Sequence, residues 1–132
     1  MSSIKKLTLS ILFIAGFIIY AGQLKAQVPD EILQSLKTGN SKTLSEYFNQ
    51  NVEMVVLEND NVYSKAQAQQ IVNKFFSSNP PESFIIIHQG GKEGAQYVIG
   101  NLVTSKGTFR VYFLLKKSGG KDYIHQLRIE EQ

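Results

Sequence analysis

His88 and His125 are the only histidines in this chain of 132 residues, and each is a candidate acid–base group. Imidazole titrates near neutral pH, so a histidine beside a carboxylate or a tyrosine could move a proton during catalysis. Each one alternates with apolar neighbours along a predicted strand, so each side chain could point inward. If the last four strands form a meander, the two histidines lie three strands apart, or about 14 Å at about 4.8 Å per strand. The alternative is that both are ordinary packed or hydrogen-bonded residues.

Arg110, Tyr112 and Tyr97 are the other side chains that could line a binding site. Arg110 and Tyr112 share one face of a predicted strand with Leu114. A buried arginine needs a partner, so an enclosed Arg110 would mark a pocket for an anionic ligand. The alternative for Arg110 is a solvated or interface position, and the alternative for the tyrosines is the core. The predicted ligand-binding residues are therefore His88, Tyr97, Arg110, Tyr112 and His125.

Composition and spacing exclude several kinds of site. The chain has no cysteine, and two histidines alone provide no recognisable metal-ligand spacing. The stretch 119–121 (GGK) lacks the upstream glycine and the following Ser or Thr of a phosphate-binding loop. The aspartates beyond residue 26 fall at a helix start (Asp30), in a turn (Asp60) and on a polar strand face (Asp122). We therefore predict no catalytic residue, no metal and no cofactor.

Residues 1–26 have the pattern of a secretory signal peptide. Lys5 and Lys6 form a basic start, residues 7–21 are almost entirely apolar, and Ala26 provides a small residue at the expected cleavage point. The alternative is an uncleaved anchor, but the apolar run is shorter than the ~20 residues of a spanning helix. We expect an exported protein, periplasmic or secreted, with no stable membrane anchor after cleavage.

Cleavage would also remove the basic character of the chain. The full sequence has 14 Lys and Arg against 11 Asp and Glu. Three of the basic residues precede residue 27, so residues 27–132 contain 11 charges of each sign. A net charge near zero does not predict binding to nucleic acid or to an anionic membrane. We expect residues 27–132 to form one domain without disulfides, and dimerisation would let such a small domain bury more apolar surface.

Residues 63–91 contain the clearest structural signals. Ser64, with Gln67 three residues later, predicts a capped helix start, and the prolines at 80 and 81 end that helix. The polar stretch 58–61 before it is predicted to be a turn. The other predicted elements are helices at 28–37 and 41–48 and strands at 52–57, 83–89, 95–104, 108–117 and 122–130. Short turns between the last strands indicate an antiparallel sheet with the helices on one face, which is an α+β fold.

The predicted sheet has more apolar residues than one core can bury. Ile85 and Ile87 lie on one face of their strand. A later strand has four apolar residues on the face opposite Arg110, namely Phe109, Val111, Phe113 and Leu115. Because an exposed apolar sheet face usually marks an interface, we expect a homodimer through the sheet.

Several short motifs resemble those of a known family: 44–48 (LSEYF), 63–65 (YSK), 75–76 (FF), 79–81 (NPP), 83–84 (SF), 88–90 (HQG), 97–100 (YVIG), 109–112 (FRVY) and 124–129 (IHQLRI). With this order of elements, the chain resembles a family of small exported Bacteroidota proteins of unknown function. That family lies within the nuclear transport factor 2-like superfamily, which includes ketosteroid isomerase and SnoaL-type cyclases. The resemblance implies a cone of about three N-terminal helices on a curved antiparallel sheet. It also implies a pocket between helices and sheet, and pairing through the outer sheet face. The family has no assigned activity to transfer.

Two functions remain open from the sequence. The first is a non-catalytic module that binds a partner or a small hydrophobic ligand, which the absence of an acid–base constellation favours. The alternative is an isomerase- or dehydratase-like pocket enzyme that uses a histidine or tyrosine as its acid–base group. That enzyme needs an open cavity of roughly several hundred Å3. A cavity packed by Phe75, Phe76, Phe84 and Tyr123 would contradict the enzyme.

Overall fold

The computed structural model describes residues 27–132, and the predicted signal peptide at 1–26 lies outside the described residues. Three helices and six strands follow in the order α1 (Asp30–Thr38), α2 (Ser41–Glu46), β1 (Phe48–Val56), β2 (Asn59–Ser64), α3 (Lys65–Ser78), β3 (Pro81–Lys92), β4 (Ala95–Thr104), β5 (Gly107–Ser118) and β6 (Lys121–Glu131). The helices pack on one face of a curved mixed sheet, which confirms the predicted α+β fold. None of the described helices is both long and apolar enough to cross a membrane.

All six strands belong to one sheet, with the order β2-β1-β6-β5-β4-β3. Strands β3 to β6 form an antiparallel meander, as the short turns predict. Strand β1 is parallel to β6 and antiparallel to β2. The two edges of the sheet are therefore β2 and β3, and the histidine-bearing strands β3 and β6 lie three steps apart, as predicted.

Local signals in the sequence place the ends of the helices. The Ser64 hydroxyl accepts a hydrogen bond from the Gln67 N–H, and the Gln67 side-chain oxygen accepts one from the Ser64 N–H, which forms the predicted capping box of α3. Helix α1 ends at Gly39, whose φ of 73° is left-handed. A Cβ at Gly39 would lie 2.8 Å from Cδ of Pro81, so glycine also permits β3 to begin against this helix end.

The inner face of the sheet, which the helices cover, forms the core. The rings of Phe75 and Phe109 meet edge-to-face at a centroid distance of 5.0 Å. The ring of Phe84 lies over Gly100, where a Cβ would be 2.5 Å from its Cζ. The fully buried core residues come from both layers and include Ile32, Leu36, Leu44, Val72, Val98, Leu102, Ile124, Leu127 and Ile129.

Two expectations about the strands are wrong. The stretch 58–61 is not a long turn, because the β1–β2 connection consists of Leu57 and Glu58 alone and β2 begins at Asn59. Its polar sequence fits an exposed edge strand as well as it fits a turn. Phe109, Val111, Phe113 and Leu115 add nothing to an outer apolar surface, because the core buries all four.

Candidate functional site

The face of the sheet that no described helix covers is called the outer face here. Cross-strand register defines its members, since residues directly opposite each other lie on the same side of the sheet. Its central residues are Glu53 and Val55 on β1, Gln126, Arg128 and Glu130 on β6, Arg110, Tyr112 and Leu114 on β5, Tyr97, Ile99 and Asn101 on β4, and Ile85 and His88 on β3. Tyr97, Arg110 and Tyr112 therefore lie on this open surface and do not line an enclosed pocket.

A β-bulge turns His88 to the outer face. Ile86 pairs with Gly100, but His88 pairs with Ile99, so Ile87 is an extra residue in β3. Because strand side chains alternate, one inserted residue reverses the side on which the next one points. The prediction that His88 points inward is therefore wrong, and His88 is exposed.

A second bulge lies at His125. Leu115 pairs with Ile124, while Leu114 pairs with Gln126, so His125 is the extra residue. Ile124 is fully buried in the core, and Gln126 lies on the outer face opposite Leu114. The alternation from which an inward His125 was inferred is therefore interrupted at His125 itself.

Burial and a neighbouring cation both affect His125. Partial burial lowers the pKa of His125 from its usual value, and the positive charge of Lys116 lowers it further. The neutral imidazole is therefore favoured in the folded protein at neutral pH.

Polar side chains connect five strands across the outer face in a line that we call the outer row. His88 Nε2 lies 2.9 Å from Oη of Tyr97, and the Tyr97 and Tyr112 rings lie 6.5 Å apart between centroids. The Tyr112 hydroxyl donates to Oε1 of Gln126 at 3.4 Å, and Gln126 Nε2 donates to Oε2 of Glu53 at 2.8 Å. Hydrogen bonds and ring contacts therefore hold these side chains in fixed positions relative to one another on an open surface.

Arginine and glutamate side chains lie next to the outer row. Arg128 Nε donates to Oε1 of Glu130 at 2.8 Å, and this ion pair raises the pKa of the guanidinium. Arg110 is opposite Glu130 in register, is exposed, and forms no hydrogen bond or ion pair with any described residue. Together with Ile99 and Tyr112 these groups line a hollow of about 440 Å3. Arg110 is thus not a buried cation, and its alternative as a solvated or interface residue is the one observed.

A larger cavity lies where β1 and β6 end against α3, and we call it the end cleft. Its volume is about 620 Å3. Its lining residues are 55–59 from β1 and the turn, Ile71, Lys74, Phe75, Ser78 and Asn79 from α3, and Arg128, Glu130 and Glu131 from β6. The sequence does not predict this cavity, because its lining residues come from elements that are distant in sequence. One available signal was the apolar Leu57 at the tip of a tight hairpin.

The chemistry available at these sites is limited. Neither histidine has a carboxylate as a hydrogen-bond or ion-pair partner among residues 27–132. Over the same part of the chain, no group of three or more His, Asp or Glu side chains could hold a metal ion. The geometry suits recognition of a partner or ligand by hydrogen bonds, ion pairs and apolar contact.

Comparison with known proteins gives the family. The profile of the domain of unknown function DUF4783 matches residues 29–130. The chain belongs to the DUF4783 family. No curated protein matches the chain.

Solved structures of DUF4783 proteins are similar along nearly their whole length. The crystal structure of a family member from Bacteroides ovatus is 33% identical, has a TM-score of 0.76, and covers 80% of this chain and 96% of that one. A family member from Bacteroides uniformis is also 33% identical, with a TM-score of 0.76 and coverage of 80% and 98%. An NTF2-like protein of unknown function from Cytophaga hutchinsonii is 13% identical, with a TM-score of 0.55 over 83% of this chain and 95% of that one. The last likeness shows the fold alone, which is NTF2-like as predicted.

Proposed function

We propose that this DUF4783 protein is an exported, non-catalytic binding module that pairs with a second copy of itself through the outer face. The observation that supports this function is the position of the candidate side chains. The bulge at Ile87 turns His88 onto the outer face, where it joins Tyr97, Arg110 and Tyr112, and His125 lies in a second bulge on β6. Export is supported by the basic and apolar pattern of residues 1–26.

The outer face has the composition of a surface that recognises itself. A two-fold interface uses the same patch on both copies, so it must contain both partners of every contact. The outer face contains the cations Arg110 and Arg128 together with the anions Glu53 and Glu130. Arg110 has no partner among the described residues, so an acidic side chain of a second copy would satisfy it.

Apolar exposure on the same face also favours pairing. Ile85 lies on the outer face and is 56% exposed, and Ile87 in the neighbouring bulge is 53% exposed. In a second copy related by a two-fold axis, these side chains would pack against apolar parts of the same face. Burial of an exposed isoleucine would contribute roughly 1–2 kcal/mol.

The outer face is large enough for a stable interface. Six strands span five steps of about 4.8 Å, and strands of about ten residues are about 33 Å long. The flat projection of the outer face is therefore about 800 Å2. Its accessible surface is larger than this projection, so the face can supply the roughly 800 Å2 of accessible surface that each partner of a standard interface buries.

Light scattering on wild type and on charge-introducing variants tests the proposal. Ile85→Lys and Arg110→Glu should convert a protein of twice the chain mass into one of the single-chain mass. Gln70→Lys on the exposed side of α3 is the matched control and should leave the mass doubled. A wild-type protein that stays at the single-chain mass at high concentration would contradict the pairing, and circular dichroism would establish that the variants are folded.

A further inference from the structure

We infer that the end cleft binds a small amphipathic amine, with its apolar body against Leu57, Ile71 and Phe75 and its ammonium group beside Glu58 and Glu131. This site goes beyond the proposed function. The cleft shares Val55, Arg128 and Glu130 with the outer face, whereas the residues proposed to contact the ligand, namely Leu57, Glu58, Ile71, Phe75 and Glu131, are not among the central residues of that face.

The cleft is lined by both apolar and polar side chains. Among the apolar ones, Val56 is 2% exposed and Phe75 is 4% exposed. Ile71 on α3 is half-buried, and Leu57 has 41% of its surface exposed. A cavity of about 620 Å3 lies within the range of roughly 300–1,000 Å3 that is usual for small-molecule pockets.

The backbone of Leu57 is an independent sign of function at this cleft. Leu57 has a φ of +54°, and it is the only described residue other than glycine with a positive φ. It stands in a two-residue hairpin turn, where glycine or asparagine is favoured because left-handed backbone is strained for a branched side chain. Turn chemistry therefore does not explain a leucine here. Strained conformations of this kind cluster at ligand sites, and Leu57 places an apolar side chain on the cleft wall.

The charges of the rim select the class of ligand. Arg128 is paired with Glu130 at 2.8 Å, so these two rim residues neutralise each other. Lys74, Glu58 and Glu131 form no ion pair among the described residues, and they leave the rim with an excess of one negative charge. A cationic head group is therefore favoured over an anionic one.

An NMR titration of the 15N-labelled protein with 2-phenylethylamine tests the site. We expect saturable amide shifts at residues 56–59 and 71–79. The matched anion, 3-phenylpropionate, should bind at least about tenfold more weakly, because only the amine complements the rim charge. Equal or tighter binding of the anion would overturn the inference. So would an absence of saturable shifts in these two segments.

Variants distinguish a ligand role for Leu57 from a structural one. Leu57→Gly should weaken binding of 2-phenylethylamine at least about fivefold while the melting temperature is unchanged or higher, because glycine relieves the backbone strain. A lower melting temperature with unchanged binding would overturn the inference. Leu57→Asn is a second variant for the same test, because asparagine also tolerates a positive φ. Glu58→Gln with Glu131→Gln should abolish the preference for the amine, whereas Glu93→Gln, exposed in the β3–β4 turn, should preserve it.

Discussion

His88 Nε2 lies 2.9 Å from the hydroxyl oxygen of Tyr97 on the outer face. The two rings are tilted by 48° at a centroid distance of 5.6 Å. This contact exists because the bulge at Ile87 turns His88 away from the core. The imidazole therefore meets a phenol on an open surface, and this surface is the one through which we propose that two copies pair.

Loss of the His88–Tyr97 hydrogen bond should cost little stability in the isolated chain. We expect His88→Ala and Tyr97→Phe each to lower the free energy of unfolding by less than about 1 kcal/mol, because water replaces an exposed hydrogen bond. Urea unfolding of a monomeric background such as Arg110→Glu would measure this change. Phe75→Ala, which removes a buried core side chain, should lower the free energy of unfolding by about 3–5 kcal/mol and serves as the reference for a structural residue. A cost of that size for His88→Ala would show that His88 is a structural residue.

His125 should titrate below the usual histidine value of about 6.5. Burial and Lys116 lower its pKa in the folded state, so the unfolded chain holds the proton more tightly than the folded chain does. The stability associated with neutral His125 is therefore complete above about pH 6.5 and falls as the pH decreases below that value.

The measurement is an NMR titration of the His125 ring. Lys116→Gln should move the titration midpoint upward but leave it below 6.5, since burial is the larger cause of the shift. A midpoint at or above 6.5 in wild type would contradict the burial of His125.

Gly100 should not tolerate a side chain. A Cβ there would lie 2.5 Å from Cζ of Phe84 and 2.8 Å from the carbonyl oxygen of Ile85. We expect Gly100→Ala to destabilise the fold by about 1–3 kcal/mol, measured by denaturant unfolding. Phe84→Leu in the Gly100→Ala background should recover part of the loss, because the aromatic ring is one of the two contacts. An additive double variant would contradict this explanation.

The start of α3 should depend on Ser64. Ser64→Ala removes the acceptor for the Gln67 N–H and should cost about 1 kcal/mol. Ser77→Ala is a matched control in the last turns of the same helix, where the exposed hydroxyl donates to the Asn73 carbonyl. Thermal unfolding should show a clear decrease for Ser64→Ala and little change for the control, and equal effects would contradict the capping role.

Local sequence signals predicted most of the fold. The capping box at Ser64, the glycine at 39 and the prolines at 80 and 81 act within a few residues, so their effects are visible without the structure. The short turns between β3 and β6 likewise required an antiparallel meander. Strand β2 was missed because the polar residues of an exposed edge strand resemble those of a turn.

The sequence predicted which residues belong to the candidate site, but it did not predict where they lie in the fold. Strict alternation placed His88 and His125 toward the core, but the extra residue Ile87 turns His88 outward, and His125 is itself the extra residue of a second bulge. Bulges have no local sequence signature here, since they depend on how neighbouring strands align. The end cleft could not be predicted from the sequence for a similar reason, because α3, β1 and β6 meet only in the folded chain.

The distance between spin labels on two copies tests pairing through the outer face most directly. The chain has no cysteine, so one introduced cysteine gives a single labelling site. Sheets packed face to face lie about 10 Å apart, so a label at Asp60→Cys, on edge strand β2 of the outer face and away from Arg110, should give a shorter distance between copies than a label on the helix side. A label at Lys42→Cys on the helix side should give a long distance. The opposite order of distances, or no interaction between copies at either position, would contradict pairing through the outer face.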